Sequence, residues 1–286
     1  MTTSSKAQVE RFDPDERVVY KRVGDVHLSM DIFKPKGQGR SDSPVAGIVF
    51  FHGGAWNDAH PSQFHPHCHY LASRGMLAMS AAYRVKNVHG TTPYECVTDG
   101  KSAVRWLRKH APDLGVDPKR IAAGGGSAGG HVAAAAATVT AFEPDGEDHS
   151  ISSKPDALVL FNPIVDNGPD GAGYGRHDRV ADRWQEVSPM HNMATGAPPA
   201  ILFLGTEDVL VSVSTVEEFK RRMNDVGSRC DLWTYDGQPH AFFNYHDGDN
   251  PYYDATVYEA DKFLASLGYL EGRPTVQAQA VEALLR

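Results

Sequence analysis

Cysteine is scarce in this chain: its 286 residues include three, Cys68, Cys96 and Cys230. An odd number cannot all pair within one chain, and these sit at no metal-like spacing. The expectation is a reducing, cytoplasmic setting without a disulfide framework. Long apolar runs are also missing. Stretches such as Gly47 to Phe51 and Ala157 to Phe161 have the length of strands, far short of the roughly 20 residues that a spanning helix needs. That excludes an integral membrane segment. Met1 to Asp15 is polar throughout and has no apolar centre of the kind an export leader needs. Positive charge is thin. Lys and Arg number 28 against 36 Asp and Glu, a net charge of −8, and no basic run exceeds Lys220-Arg221-Arg222. Nucleic acid is therefore not an expected partner, because nothing supplies the cationic face that a phosphate backbone requires.

A chain of this length can bury about three quarters of its unfolded surface, so a single large α/β domain is as plausible as two small ones. β-rich segments are expected near 17–22, 27–33, 46–51, 77–83, 120–123, 157–161, 200–204 and 231–235. They alternate with helical segments, the rhythm of a mostly parallel sheet covered on both faces. Only Gly24-Asp25 separates the first two, which predicts an antiparallel ribbon. Val97, Val104, Leu107 and Ala111 recur at helical spacing in Tyr94 to His110, and Pro112 with Gly115 is expected to close that helix. Val132 to Val139 is apolar all round, which predicts a helix with no wet face. Val257, Ala260, Phe263, Leu264 and Leu267 form a last stripe that Gly268 can cap. Three stretches stand outside this rhythm. Residues 1–16 read as a flexible tail ahead of a domain over 17–270. Residues 166–193 are rich in Gly and Pro and read as a lid-like insertion. Residues 271–286 read as an amphipathic tail helix that docks on its own domain or on a second copy, which makes a homodimer one expectation.

The chemistry concentrates in Arg120 to His131, where a strand runs through glycines into Ser127 and straight on into a helix. Gly125-Gly126-Ser127-Ala128-Gly129 fits the G-x-S-x-G turn that lifts a nucleophilic serine above a sheet edge. Side chains two positions to either side would collide with neighbouring backbone, which is why glycine stands there. A phosphate-cradling turn is the competing reading, but no Gly-Lys-Ser/Thr ending follows. Earlier, the strand ending at Phe51 runs into His52-Gly53-Gly54-Ala55-Trp56, a loop whose amides can face a developing oxyanion. Gly53, Gly54 and Ala128 are the expected donors. A serine hydroxyl needs a base and a group to orient it. Gly205-Thr206-Glu207-Asp208 follows one strand and Gly237-Gln238-Pro239-His240 the next, so both loops fall at the carboxyl edge where the serine turn lies. Asp208 is favoured over its neighbour Glu207, and His240 over His246. His65 and His69 share an i,i+4 spacing able to hold a divalent ion, yet no neighbouring Glu completes a metalloprotease pattern and the serine apparatus needs no metal.

These four motifs, in this order, resemble the α/β-hydrolase superfamily in its esterase and lipase branch, related to hormone-sensitive lipase, over roughly Ser43 to Leu267. Ala55 stands where a third glycine is commoner, and Gly126 where an aspartate often precedes the serine. With His131 four residues past Ser127, these features look more like the carbohydrate-ester and feruloyl esterases and the arylformamidases. The resemblance implies an eight-stranded, mostly parallel sheet flanked by helices. It implies Ser127 as nucleophile, His240 as base and then acid, Asp208 as its orienting carboxylate, and no cofactor. His52 and His131 are expected to hold loops, and Trp56 either walls the substrate pocket or packs behind the turn. The implied activity is serine-dependent hydrolysis of small or medium carboxylic esters through an acyl-enzyme, acetylated or feruloylated sugars among them. N-formyl amide hydrolysis, as in an arylformamidase, and a fold kept only for ligand binding are the alternatives.

Overall fold

The computed structural model describes residues 12–36, 43–173 and 180–276. Eight strands form one sheet: β1 (Glu16–Val23), β2 (Val26–Phe33), β3 (Val45–Phe51), β4 (Leu77–Ala81), β5 (Val116–Gly126), β6 (Ala157–Phe161), β7 (Ala200–Gly205) and β8 (Cys230–Tyr235). Their spatial order is β1-β2-β4-β3-β5-β6-β7-β8. β1 and β2 are an antiparallel hairpin turned at Gly24, whose φ is +55°, and β2 also pairs antiparallel with β4. From β4 to β8 every pairing is parallel. Each of these crossovers needs a long connection, and helices supply it. They are α1 (His65–Ser73), α2 (Pro93–Leu114), α3 (Ala128–Thr138), α4 (Val213–Asp225) and α5 (Pro251–Ser266).

Strand alternation sorts the core into two layers. Val49 and Phe51 of β3, Leu158 and Leu160 of β6, and Leu202 and Leu204 of β7 face the layer containing Val104, Leu107, Val132 and Phe219 of α2, α3 and α4. Ile48, Phe50, Val159, Phe161, Ile201 and Phe203 face the opposite layer with Leu71 of α1 and Phe263 and Leu264 of α5. Because side chains alternate with a period of two, near-continuous apolar strands feed both layers at once.

Two expected boundaries move. β5 runs from Val116 through the glycines to Gly126, past the expected end at Ala123. Gly124, Gly125 and Gly126 pair with β6, and the first two also pair with β3, so two ladders override the poor strand propensity of glycine. A Cβ on Gly124 would fall 2.5 Å from the Phe50 ring. α2 also runs past His110 and through Pro112 to the expected closing residue, Gly115. Pro112 sits within the last turn, and the helix stops at Gly115 in the left-handed conformation, φ +68°. A proline that near the end costs a single bond, whereas the positive φ ends the helix outright. The start is as strongly marked, with a reciprocal Thr92–Glu95 capping box. α3 is buried along its whole length, as its composition predicts.

Of the N-terminal stretch, Asp15 N–H donates to Ile32 O at 2.8 Å and the Phe12 ring meets Tyr245 at 4.9 Å. Residues 1–11 lie outside the described residues, as do 277–286, which hold most of the expected tail helix, and 174–179 in the expected insertion. On either side of that last gap, Asn167 N–H donates to Ser188 Oγ and Met190 N–H to Val165 O. Val180 and Val187 are buried with Val97, Ala135 and Val139 against α2 and α3. No described helix is long and apolar enough to cross a membrane.

Three histidines are buried with the sheet and helices. Burial lowers the pKa of His67 to about 3, and lowers those of His52 and His131 to about 4 against the opposing pull of bonds to Gly53 O and Val187 O. An unfolded histidine titrates near 6.5, so between that pH and about 4 the unfolded chain binds protons that the native chain does not, and stability falls as pH falls. Each histidine adds a slope of up to about 1.4 kcal/mol per pH unit in that window. Urea unfolding measured from pH 7 to pH 4.5 should show this loss. His67→Phe, which suits the ring's aromatic surroundings, should remove about one histidine's share of the slope, and an unchanged slope would contradict it.

Candidate active site

Ser127 stands between β5 and α3 at φ +53° and ψ −119°, a conformation rare for any residue with a Cβ. Backbone bonds hold it there: its N–H donates to Phe161 O at 3.0 Å, and its carbonyl accepts from His131 N at 3.0 Å and Ile164 N at 3.2 Å. The flanking glycines let main chain touch main chain. A Cβ on Gly129 would lie 2.0 Å from Phe51 O and 2.4 Å from His52 O, and one on Gly125 would lie 2.5 Å from the Gly129 carbonyl group. Only hydrogen at those positions lets the start of α3 press against the end of β3.

Asp208 and His240 come together from the loops after β7 and β8. Asp208 Oδ2 lies 2.6 Å from His240 Nδ1, with the carboxylate side chain 1% exposed and the imidazole 18% exposed. Asp208 Oδ1 accepts from the amides of Leu210 at 2.8 Å and Val211 at 3.0 Å. Burial pushes the Asp208 carboxyl up, but the bonds from His240 and from the Val211 and Leu210 amides outweigh it, so the group stays below its ordinary value and ionised. Glu207 is exposed, and its N–H donates to Gln238 O. His246 is also exposed and holds the next loop through its N–H to Asn250 Oδ1.

Among the described residues no hydrogen bond joins His240 to Ser127. Nε2 instead meets Asn162 Nδ2 at 3.3 Å. Catalytic hydrogen bonds are commonly long or misaligned until substrate arrives. Asn162, buried at the end of β6 with φ +34°, also accepts the Ala241 N–H at 3.0 Å through Oδ1. Sequence reasoning missed it. The signal was an Asn directly after a strand on the catalytic rim, since Asn tolerates positive φ better than most residues.

The His52–Trp56 loop lies beside the serine: a Cβ on Gly53 would stand 3.6 Å from Ser127 Cβ. His52 braces the loop, with Nδ1 bonded to Gly53 O at 2.6 Å, its ring stacked on Tyr83 at 4.3 Å, and its carbonyl accepting from Tyr83 OH at 2.7 Å. Gly54 adopts φ +117°, and a Cβ there would meet Asp58 O at 2.5 Å. Ala128 opens α3, so its amide is among the first-turn donors that have no acceptor inside the helix. A cavity of about 410 Å³ opens next to Gly53 and Gly54, with His60, Gln63, Asn244 and His246 in its walls.

The BD-FAE family matches residues 30–169. The apo structure of Thermogutta terrifontis esterase 2 is 43% identical with a TM-score of 0.86, covering 92% of this chain and 98% of that one. Its propionate-bound structure is 42% identical, with a TM-score of 0.85 and the same coverage. This chain belongs to the α/β-hydrolase superfamily, in its esterase and lipase branch. Esterase LipC of Mycobacterium tuberculosis is 27% identical over 74% of this chain, and the match spans 56% of LipC, so the chain covers about half the length of that relative.

Within this α/β-hydrolase, the surroundings of two expected site residues are specific. Gly53 N–H donates to Gln63 Oε1 at 2.6 Å, and Gln63 Nε2 donates on to Asn244 Oδ1 at 2.9 Å. In this structure the Gly53 amide thus ties the His52–Trp56 loop, through Gln63, to the loop that carries Asn244. Gln63 is on the short turn Pro61–Phe64, close to Gly53 only through the fold. Trp56 does not wall the cavity. It is 2% exposed and meets His131 edge-on at 5.1 Å, because positive φ at Ala55 and Trp56 turns the chain inward. His131 is a brace, as expected, with Nε2 donating to Val187 O at 3.0 Å. His65 pairs with Asp31 at 3.0 Å, and His69 meets the Phe12 ring at 5.4 Å. Among the described residues no cluster suited to a metal occurs.

Gly129→Ala should cost more than about 3 kcal/mol, because the clashing atoms are backbone carbonyls that cannot step aside. Gly227→Ala, at φ +79° with open space around it, should cost about 1 kcal/mol from backbone strain alone. Equal shifts in urea midpoint for the two would contradict the direct main-chain packing at the Ser127 turn.

Proposed function

We propose that this chain is a serine carboxylesterase with Ser127 as nucleophile, His240 as base and Asp208 as the carboxylate that orients it. The observation that carries this reading is the 2.6 Å pair between buried Asp208 and His240, on the same strand-end rim as the strained Ser127 turn. A carboxylate against Nδ1 leaves Nε2 as the proton acceptor, which the attack requires. Ser127 Oγ adds to the ester carbonyl carbon while its proton passes to Nε2. The Gly54 and Ala128 amides hold the oxyanion, and the start of α3 adds its positive end. The tetrahedral species collapses, the alkoxide leaves with the proton from Nε2, and an acyl group remains on Ser127. Water deprotonated by the same nitrogen then releases the acid.

Relatives support a short acyl group. Structures of Thermogutta terrifontis esterase 2 are described as propionate-bound and butyrate-bound, and as phosphorylated by paraoxon. On the alcohol side, the amide and imidazole groups of Gln63, Asn244, His60 and His246 suit a hydroxyl-bearing leaving group, including a sugar. Acetyl to decanoyl aryl esters, with acetylated and feruloylated sugars and N-formylkynurenine alongside, measure both preferences. Short acyl chains should be fastest, and a faster rate on the formyl amide would move the assignment to an arylformamidase.

Paraoxon should place one diethylphosphoryl group on each chain, detected by intact mass, and Ser127→Ala should abolish it. That variant should lower kcat/KM on a short aryl ester by about 10⁴ to 10⁶. Retained labelling or turnover in Ser127→Ala would remove the serine from its role.

A further inference from the structure

Two hydrogen-bond partners define Asn162, and their chemistry leaves a single arrangement of protons. The Ala241 N–H can only donate, so the Asn162 carbonyl oxygen faces it at 3.0 Å and the Asn162 amino group faces His240 Nε2 at 3.3 Å. That amino group can only donate, so Nε2 must offer a lone pair. On the other side of the ring the Asp208 carboxylate accepts at 2.6 Å, so Nδ1 carries the proton. Asn162 is fully buried, and it is held at φ +34° with its own N–H bonded to Phe203 O at 2.7 Å. Residues kept in such strained conformations cluster where the surroundings enforce them for a purpose.

We propose that Asn162 is the positioning residue of the base. Its side-chain amide anchors the histidine loop through Ala241 and, from the same group, holds the His240 ring in the tautomer whose Nε2 can take the serine proton. This rests on the serine-esterase reading. In the resting protein Asn162 occupies the lone pair that Ser127 Oγ–H must later use, so the base exchanges a long, weak bond for a catalytic one when ester binds. Once the proton has reached Nε2, two donors face each other. The Asn162 amino group then repels the imidazolium toward the leaving group.

Asn162→Asp separates the two duties, because a carboxylate keeps the acceptor for Ala241 and replaces the donor at Nε2 with a second acceptor. At neutral pH, ¹⁵N-histidine spectra should show Nε2 of His240 gaining a proton, with its resonance identified by its loss in His240→Gln. On a short aryl ester kcat should fall by about 100-fold or more while KM moves by less than about 3-fold, the range expected when a base is disabled. Asn162→Gly, which suits the positive φ and drops both bonds, should leave Nε2 unprotonated with kcat lowered by about 10-fold. A wild-type spectrum together with wild-type kcat in Asn162→Asp would overturn the proposal. Should that variant not fold, the wild-type spectrum decides, since a protonated Nε2 in the unmodified protein would overturn it equally. Absence of both turnover and paraoxon labelling in the wild type would instead count against the esterase reading, while the spectra would still judge the tautomer.

Discussion

Main chain packs directly on main chain where α3 leaves the sheet, and the site depends on that contact. Gly129 presses on the carbonyls of Phe51 and His52, and Gly125 on the Gly129 carbonyl group. One methyl group at either position would part β3 from the turn after β5. The contact brings the His52–Trp56 loop, far away in sequence, beside Ser127. Strain collects at the same place. Of the six non-glycine residues with positive φ among the described residues, Ala55, Trp56, Ser127, Asn162 and Ala241 belong to the site or its border, and Phe142 is the exception. Each such residue costs about 1–3 kcal/mol, and two well-packed core layers supply the stability that tolerates this.

The parallel sheet makes the convergence possible. Strands β3, β5, β6, β7 and β8 all end on one rim, and they deliver the His52–Trp56 loop, Ser127, Asn162, Asp208 and His240 in turn. Rigid strands set the separations, while loops of a few residues need only aim side chains. The buried polar groups divide into two kinds. Asp208 stays charged because His240 and two amides meet it, whereas His52, His67 and His131 are kept neutral by burial and serve as packing. The same residue type thus sits in opposite surroundings: His240 is partly exposed beside a carboxylate, while the other three are buried.

Much of this was legible in the linear chain because its signals are local. Period-two apolar segments marked the strands, the all-apolar run marked α3, and glycines two residues to either side of Ser127 marked the turn. The order serine, acid, histidine followed from which strand each loop ends. Local signals failed where two distant ladders overrode propensity, as at Gly124–Gly126. They failed again at Gln63, whose 3₁₀ turn carries no mark of the Gly53 amide that it meets.

Residue type and spacing alone therefore determined the fold class, the layered core and which loops carry Ser127, Asp208 and His240 to the sheet edge, since each follows from backbone sterics and short-range periodicity. Tertiary packing decided the partner of every polar atom: the Gly53 amide went to Gln63, Nε2 of His240 to Asn162, and the Trp56 indole into the core. Hydrogen bonds are directional and fade within a few tenths of an ångström, and those distances exist only after the sheet has brought its loops to one edge.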